Sequence, residues 1–285
     1  MTARPAAGLP KPGEKTGSAV TWRLAHEIPF SWGRLGYALD LFIHLVSLEM
    51  RLLYKQSWLG VFWTLLNPVI QLLIFSLIFS HVLTVAVPRY PLFLCCGLLC
   101  WNAFTESLTM AAGSIVNARN VLYQLGFPPS MMPLVVVTVG LIHFIFSLSI
   151  LAVLLAWYQV PLGWPLAALP LIIGIQGLLT LALAFPLAAL HVRFHDVKHL
   201  LVVVFRFMFF LTPILYATNA FPHVHRMLYA ANPLTHLIEG YRAVLLDGAW
   251  PNWLALAGVA AASIIVLFFG FRYFQSRRFQ FIEDL

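Results

Sequence analysis

Residues 131–157, MMPLVVVTVGLIHFIFSLSILAVLLAW, contain no Asp, Glu, Lys or Arg. A run of that length exceeds the about 20 residues an α-helix needs to cross a hydrocarbon core of about 30 Å. Lipid offers the backbone no water to bond, so a helix that satisfies its own N–H and C=O groups is the expected form. Five further apolar runs surround it, at roughly 59–87, 92–116, 165–190, 199–218 and 252–274. Pro68 and Pro186 fall inside two of them, which packed membrane helices tolerate. No stretch shows the ten-residue alternation of a membrane β-barrel. The expected fold class is all-α, a polytopic membrane protein with six transmembrane helices.

Composition agrees. Of 285 residues, 61% are hydrophobic and 9% charged, with a mean hydropathy of +0.88. A soluble domain carries about 25% charged residues, so this chain cannot cover a globule with polar surface. A soluble enzyme, a disordered chain and a disulfide scaffold are excluded. The net charge of +7 would suggest nucleic acid in a soluble protein, but here position matters more than the sum. An even number of spans puts both termini on one side. That side holds Arg4, Lys11, Lys15, Arg23, Arg34, Arg51, Lys55, Arg119, Arg193, Lys198, Arg272, Arg277 and Arg278, against Arg89, Arg226 and Arg242 opposite and Arg206 inside span five. The positive-inside rule makes both termini cytoplasmic and assigns the excess charge to topology, with no nucleic acid as partner. Residues 1–20 lack the apolar core of a secretory signal; residues 1–34 read as a cytoplasmic tail.

Two segments between the spans are more than loops. In 35–56, Asp40, His44, Ser47, Arg51 and Lys55 recur at steps of four, three, four and four, while Leu41, Phe42, Leu45, Leu48 and Leu52 fill the other face. That pattern predicts an amphipathic helix in the cytoplasmic interface. In 219–251, Asn232-Pro233 reads as a helix cap and first position. Leu234, Leu237, Ile238, Tyr241, Val244 and Leu245 follow at helical spacing, with Glu239 and Arg242 on the polar side. This helix is too short to span and is expected to re-enter the membrane or lie on its outer surface.

Several chemical signals dissolve on inspection. Gly8 to Thr16 nearly spells a phosphate-binding loop, but Glu14 breaks the register and no strand precedes it, so no nucleotide site is expected. His191, His195 and His199 fall at i, i+4 and i+8, the spacing of one helix face that might hold zinc, yet they sit among Arg193 and Lys198 at a membrane boundary; no metal site is predicted. Cys95, Cys96 and Cys100 match no metal pattern and read as packing. Glu106 and Arg206 lie inside spans, where a charge is costly and should face a partner, a cavity or a pore; they form one possible pair. Trp58, Trp63, Trp101, Trp157, Trp164, Trp250 and Trp253 lie near span ends, as an interfacial belt would, though a ring face also stacks on sugars.

Four stretches together carry a family resemblance: Tyr54 to Pro68 (YKQSWLGVFWTLLNP), Gly97 to Leu108 (GLLCWNAFTESL), Arg193 to His199 (RFHDVKH) and Asn232 to Arg242 (NPLTHLIEGYR). In this order on a six-span frame, the chain resembles the ABC-2 type membrane subunits of polysaccharide exporters, in the O-antigen and teichoic-acid branch. The resemblance implies a homodimer with two copies of a separate ATP-binding subunit that holds ATP and Mg, no catalysis or cofactor in this chain, and a lipid-linked polysaccharide on undecaprenyl diphosphate as cargo. It places the protein in the bacterial inner membrane, among membrane lipids. It makes 114–129 the coupling helix, through Asn117, Arg119, Asn120, Leu122, Tyr123, Leu125 and Phe127. It gives the interface helix, with Arg34, Asp40, His44, Arg51 and Lys55, the carrier diphosphate. It sets Trp63, Asn67, Glu106, Arg206, Tyr216, Glu239, Tyr241 and Arg242 along the path or its external gate helices. Two other readings remain: the same fold carrying teichoic acid, capsule, a small lipid or a drug, and a stand-alone secondary transporter, for which Glu106 alone is thin support.

Overall fold

The computed structural model describes residues 32–54, 62–79, 87–119, 127–217, 229–278 and 280–281. Every regular element among them is helical: α1 Trp32–Tyr54, α2 Phe62–Leu77, α3 Tyr90–Asn117, α4 Met131–Trp157, a short 3₁₀ turn Trp164–Ala168 running into α5 Leu169–Arg193, α6 Val197–Leu211, α7 Pro233–Leu245 and α8 Trp253–Arg277. Residues 1–43 and 44–285 form two units, the boundary falling inside α1. Along α1, Asp40, His44 and Arg51 are exposed, and Leu39, Ile43, Leu48 and Leu52 are exposed as well. Lys55 lies outside the described residues, as does the side chain of Arg34.

Among the described residues, four helices are long and apolar enough to cross a membrane: α3, α4, the continuous Trp164–Arg193 and α8. Each coincides with a predicted run to within three residues at either end. The other two runs behave differently. Residues 59–87 give α2, whose 16 residues reach about 24 Å at 1.5 Å per residue, and the segments on either side, 55–61 and 80–86, are not described. Residues 199–218 give α6, which stops at Leu211 because Pro213 follows. A residue before proline is pushed out of the helical region, and Thr212 is extended, with φ −95° and ψ 137°.

Helix α3 is the centre of the bundle, packed by α2, α4, α5, α6 and α7. Leu92, Leu94, Leu98, Cys100, Leu108 and Ala111 along it are all buried. Helices close on one another where a side chain is missing, as membrane bundles require when apolar surface gives no drive to associate. Gly140 of α4 leaves the room that the Ser107 side chain of α3 fills. Gly270 of α8 lies against Pro186 of α5; a Cβ there would stand 2.9 Å from Pro186 Cδ and 3.1 Å from the Ala182 carbonyl oxygen. Proline has no N–H to give the carbonyl four residues back, so the Ala182 carbonyl faces this bare stretch of α8.

Helix ends obey local rules. The Asn232 side chain accepts from the Leu234 N–H at 3.0 Å with Pro233 in the first turn, and Asn252 accepts from the Ala255 N–H at 3.2 Å. At the end of α4, Gln159 takes the left-handed conformation (φ 50°) and Val160 N–H reaches the Leu155 carbonyl at 3.0 Å, the αL closure usually given to glycine.

Candidate functional site

Three helices each turn one face toward a shared open groove of about 550 Å³, in whose wall Glu106 and Arg206 are exposed. Helix α2 supplies Gln71 and Phe75, one turn apart. Helix α3 supplies Trp101, Asn102, Thr105, Glu106, Thr109 and Met110, and α6 supplies Val202, Phe205, Arg206, Phe209 and Phe210. In each helix the spacing is that of a single stripe. The aromatic wall is organised edge to face: Trp101 meets Phe205 at 6.3 Å and Phe209 at 5.8 Å between centroids, and Phe75 stacks on Phe209 at 5.8 Å. Its polar members are held within and between the helices. Asn102 Nδ2 donates to Gln71 Oε1 at 2.8 Å, tying α3 to α2. Thr105 donates to the Trp101 carbonyl at 3.0 Å and Thr109 to the Thr105 carbonyl at 2.7 Å, so their oxygens keep lone pairs for another partner.

Glu106 and Arg206 share this cavity but no ion pair joins them among the described residues. Behind Glu106 a smaller space of about 50 Å³ reaches His143 and Ser147 of α4. An amide-and-hydroxyl wall beside aromatic faces can hydrogen-bond a polyhydroxylated chain and stack against its C–H faces.

At the end of the bundle where α7 lies, the geometry differs from the expected polar face. Arg242 is 6% exposed. Its Nη1 donates to the Pro213 carbonyl at 2.8 Å, its Nη2 to Ile214 at 3.0 Å and Phe93 at 3.4 Å, and its guanidinium stacks 3.4 Å above the Phe93 ring. Burial lowers its pKa to about 10, which leaves it cationic at neutral pH. Beside those carbonyls, Thr212 Oγ1 takes a hydrogen bond from Asn232 Nδ2 at 2.9 Å and the Leu215 carbonyl one from the Tyr90 hydroxyl at 3.0 Å. Four consecutive residues, 212–215, are thus each held by a side chain. The missing intrahelical bonds beyond Leu211 call for these partners. Arg242 therefore belongs to the buried side of α7, contrary to the helical-wheel reading, because its donors satisfy carbonyls that a helix ending before proline leaves open.

Tyr241 is 1% exposed. Its hydroxyl donates to Gln176 Oε1 at 2.7 Å, and Gln176 Nε2 donates to the Cys100 carbonyl at 3.2 Å, which fastens α7 to α5 and α3. Gln176, the single amide in the 165–190 run, was the available signal for this network, and sequence reasoning passed over it.

The remaining expected residues scatter. Asn67 and Glu239 are outside the cavity wall, exposed and half-exposed respectively. Tyr216 is half-buried, its hydroxyl donating to the Phe210 carbonyl at 2.7 Å. Asn117 and Arg119 are exposed near the end of α3, and Phe127 packs near Ile115, Phe185 and Phe274. Asn120, Leu122, Tyr123, Leu125, the Trp63 side chain and Gly8–Thr16 lie outside the described residues. The three histidines do not share one helix face, because α5 ends at Arg193 and Phe194 is extended; among the described residues no metal-capable cluster forms. The tryptophans separate: Trp157 and Trp164 are 82% and 89% exposed and gather with Trp250 and Trp253 at one end of the bundle, whereas Trp101 is buried in the cavity wall.

Comparison with known proteins accords with this architecture. Residues 40–246 match the ABC-2 type transporter family. The chain is 34% identical over 248 residues to the O-antigen export system permease protein RfbA of Myxococcus xanthus, covering 86% of this chain and 95% of that one. It is 29% identical to the protein of the same name from Klebsiella pneumoniae, over 88% and 97%, and 23% identical to the polysialic acid transport protein KpsM of Escherichia coli, over 80% and 90%. With the match spanning most of its length and four helices fit to cross a membrane among the described residues, this chain is a multi-pass membrane protein of the ABC-2 type transporter family.

Proposed function

We propose that this chain is the membrane subunit of an ATP-driven exporter that carries lipid-linked polysaccharide of the O-antigen type across the bacterial inner membrane. The observation that carries the reading is the cavity between α2, α3 and α6, whose wall combines amides, hydroxyls and aromatic faces in a chain similar over 86% of its length to an O-antigen export permease. A long polymer needs many weak contacts of this kind, since one tight site would hold it in place. Segments containing α2 and α6 complete six spans, with both termini cytoplasmic by the basic-residue count. Two copies face each other, and the exposed apolar stripes of α2 and α6 divide between lipid and the second copy. Two ATP-binding subunits dock on the 114–129 segments, and their cycle shifts the population between inward and outward conformations. The basic residues of α1 and its flanks attract the carrier diphosphate at the cytoplasmic surface. No step of the ATP chemistry belongs to this chain.

Deleting the gene tests the reading. Cells should accumulate undecaprenyl-linked polymer in the cytoplasm while surface polymer disappears; deletion cells that accumulate none would sink it.

A further inference from the structure

Resting on that export reading, the charge of the cavity wall narrows the cargo. Helix α2 carries no Asp, Glu, Lys, Arg or His, α3 carries Glu106 alone of these types, and α6 carries Lys198, His199 and Arg206. Lys198 stands at the start of α6, with its Nζ beside Gly113 at the far end of α3, and neither it nor His199 lines the cavity. Among the described residues the wall therefore holds one negative and one positive group, which sum to zero, and pairing two copies leaves that sum at zero. The rest is neutral amide and hydroxyl between aromatic rings.

We infer that the polymer this chain carries is an uncharged glycan, and that Glu106 is a specificity-determining residue against acidic repeat units. A carboxylate or phosphate on each repeat would leave water for a largely apolar wall without a counter-charge, a transfer that costs heavily unless the ion is paired. Arg206 offers one partner, but Glu106 in the same cavity offsets it and repels the incoming anion. A neutral sugar meets no such barrier. Its hydroxyls donate to the Glu106 carboxylate and accept from Arg206, and its C–H faces lie on Trp101 and Phe209. The carrier diphosphate is one group per molecule, whereas a charged repeat would meet the wall at every step. Discrimination of this type works by an unfavourable contact for the wrong cargo as much as a good one for the right cargo.

The test uses proteoliposomes holding the complex of this chain with its ATP-binding subunit. Two undecaprenyl-linked oligosaccharides of equal length are compared, one of neutral hexoses and one with a uronic acid in each repeat. ATP-dependent transport of the neutral chain should be faster by about tenfold or more. Glu106→Gln should raise the acidic-to-neutral rate ratio about threefold or more, and Arg206→Gln should lower it. The ratio is the readout because a purely structural defect slows both cargoes alike. Equal rates for the two glycans in the unaltered protein, or a ratio that neither variant moves, would overturn the inference. Failure of the unaltered complex to move either glycan would instead overturn the export reading on which it rests.

Discussion

Arg242 shows how one side chain can be indispensable without touching cargo. Its fork bridges the carbonyls of Pro213, Ile214 and Phe93 while its flat face lies on the Phe93 ring. Replacing it by Ala would strand three carbonyls and empty a buried space beside Gly97, where a Cβ would already stand 3.0 Å from Nη2. Arg242→Ala should cost about 3 kcal/mol, within the range for removing one member of a buried charge-assisted set. A fall in the thermal midpoint of the detergent-purified protein measures it. Arg242→Lys should recover less than half, because one ammonium keeps the charge but cannot span the fork or stack as a plane. Tyr241 is a gentler case: Tyr241→Phe loses the bond to Gln176 and keeps the ring against Phe144, a change of about 1 kcal/mol in the same assay.

At the scale of elements, the crossing of α5 and α8 depends on what is missing from Gly270. Gly270→Ala puts a methyl 2.9 Å from Pro186 Cδ, a ring atom with no rotamer to escape into. The helices must part, and overpacking of this kind costs about 1–3 kcal/mol; Gly258, with nothing within 4 Å of its added Cβ, is the control position where Ala should be neutral or better. The long spans were legible from sequence because length and apolarity are properties of the chain itself. The Asn232-Pro233 start of α7 was legible for the same local reason. What periodicity could not supply was the environment. Arg242 is polar by type and buried by context, since its partners come from residues 93, 213 and 214. The cavity was readable only in part: Glu106 and Arg206 announced themselves as charges in apolar runs, whereas Gln71, Phe75 and Phe209 are ordinary residues until three helices bring their faces together. The one-face spacing of the three histidines holds only if the helix runs on, and the chain leaves it at Phe194.

For the whole molecule, the proposed export draws its energy from a partner, and the proposed contact is the 114–129 segment. A double variant with Tyr123→Asp and Leu125→Asp should retain membrane insertion yet lose export and substrate-stimulated ATPase activity in the complex; normal export would remove that segment from the coupling role. The bundle also contains its own reporter of the opposite end. Cys95, Cys96 and Cys100 are free and buried on α3, close under α7 through the Gly97–Arg242 and Cys100–Gln176–Tyr241 contacts. A thiol reacts with an alkylating reagent only when it can be reached and can ionise. A permeable maleimide should therefore leave the nucleotide-free complex unlabelled. If transport lifts α7 away from α3, labelling should rise during ATP turnover and fall again when the cycle is arrested with the bundle closed. Labelling that stays flat through turnover would mean that α3 and α7 travel as one body.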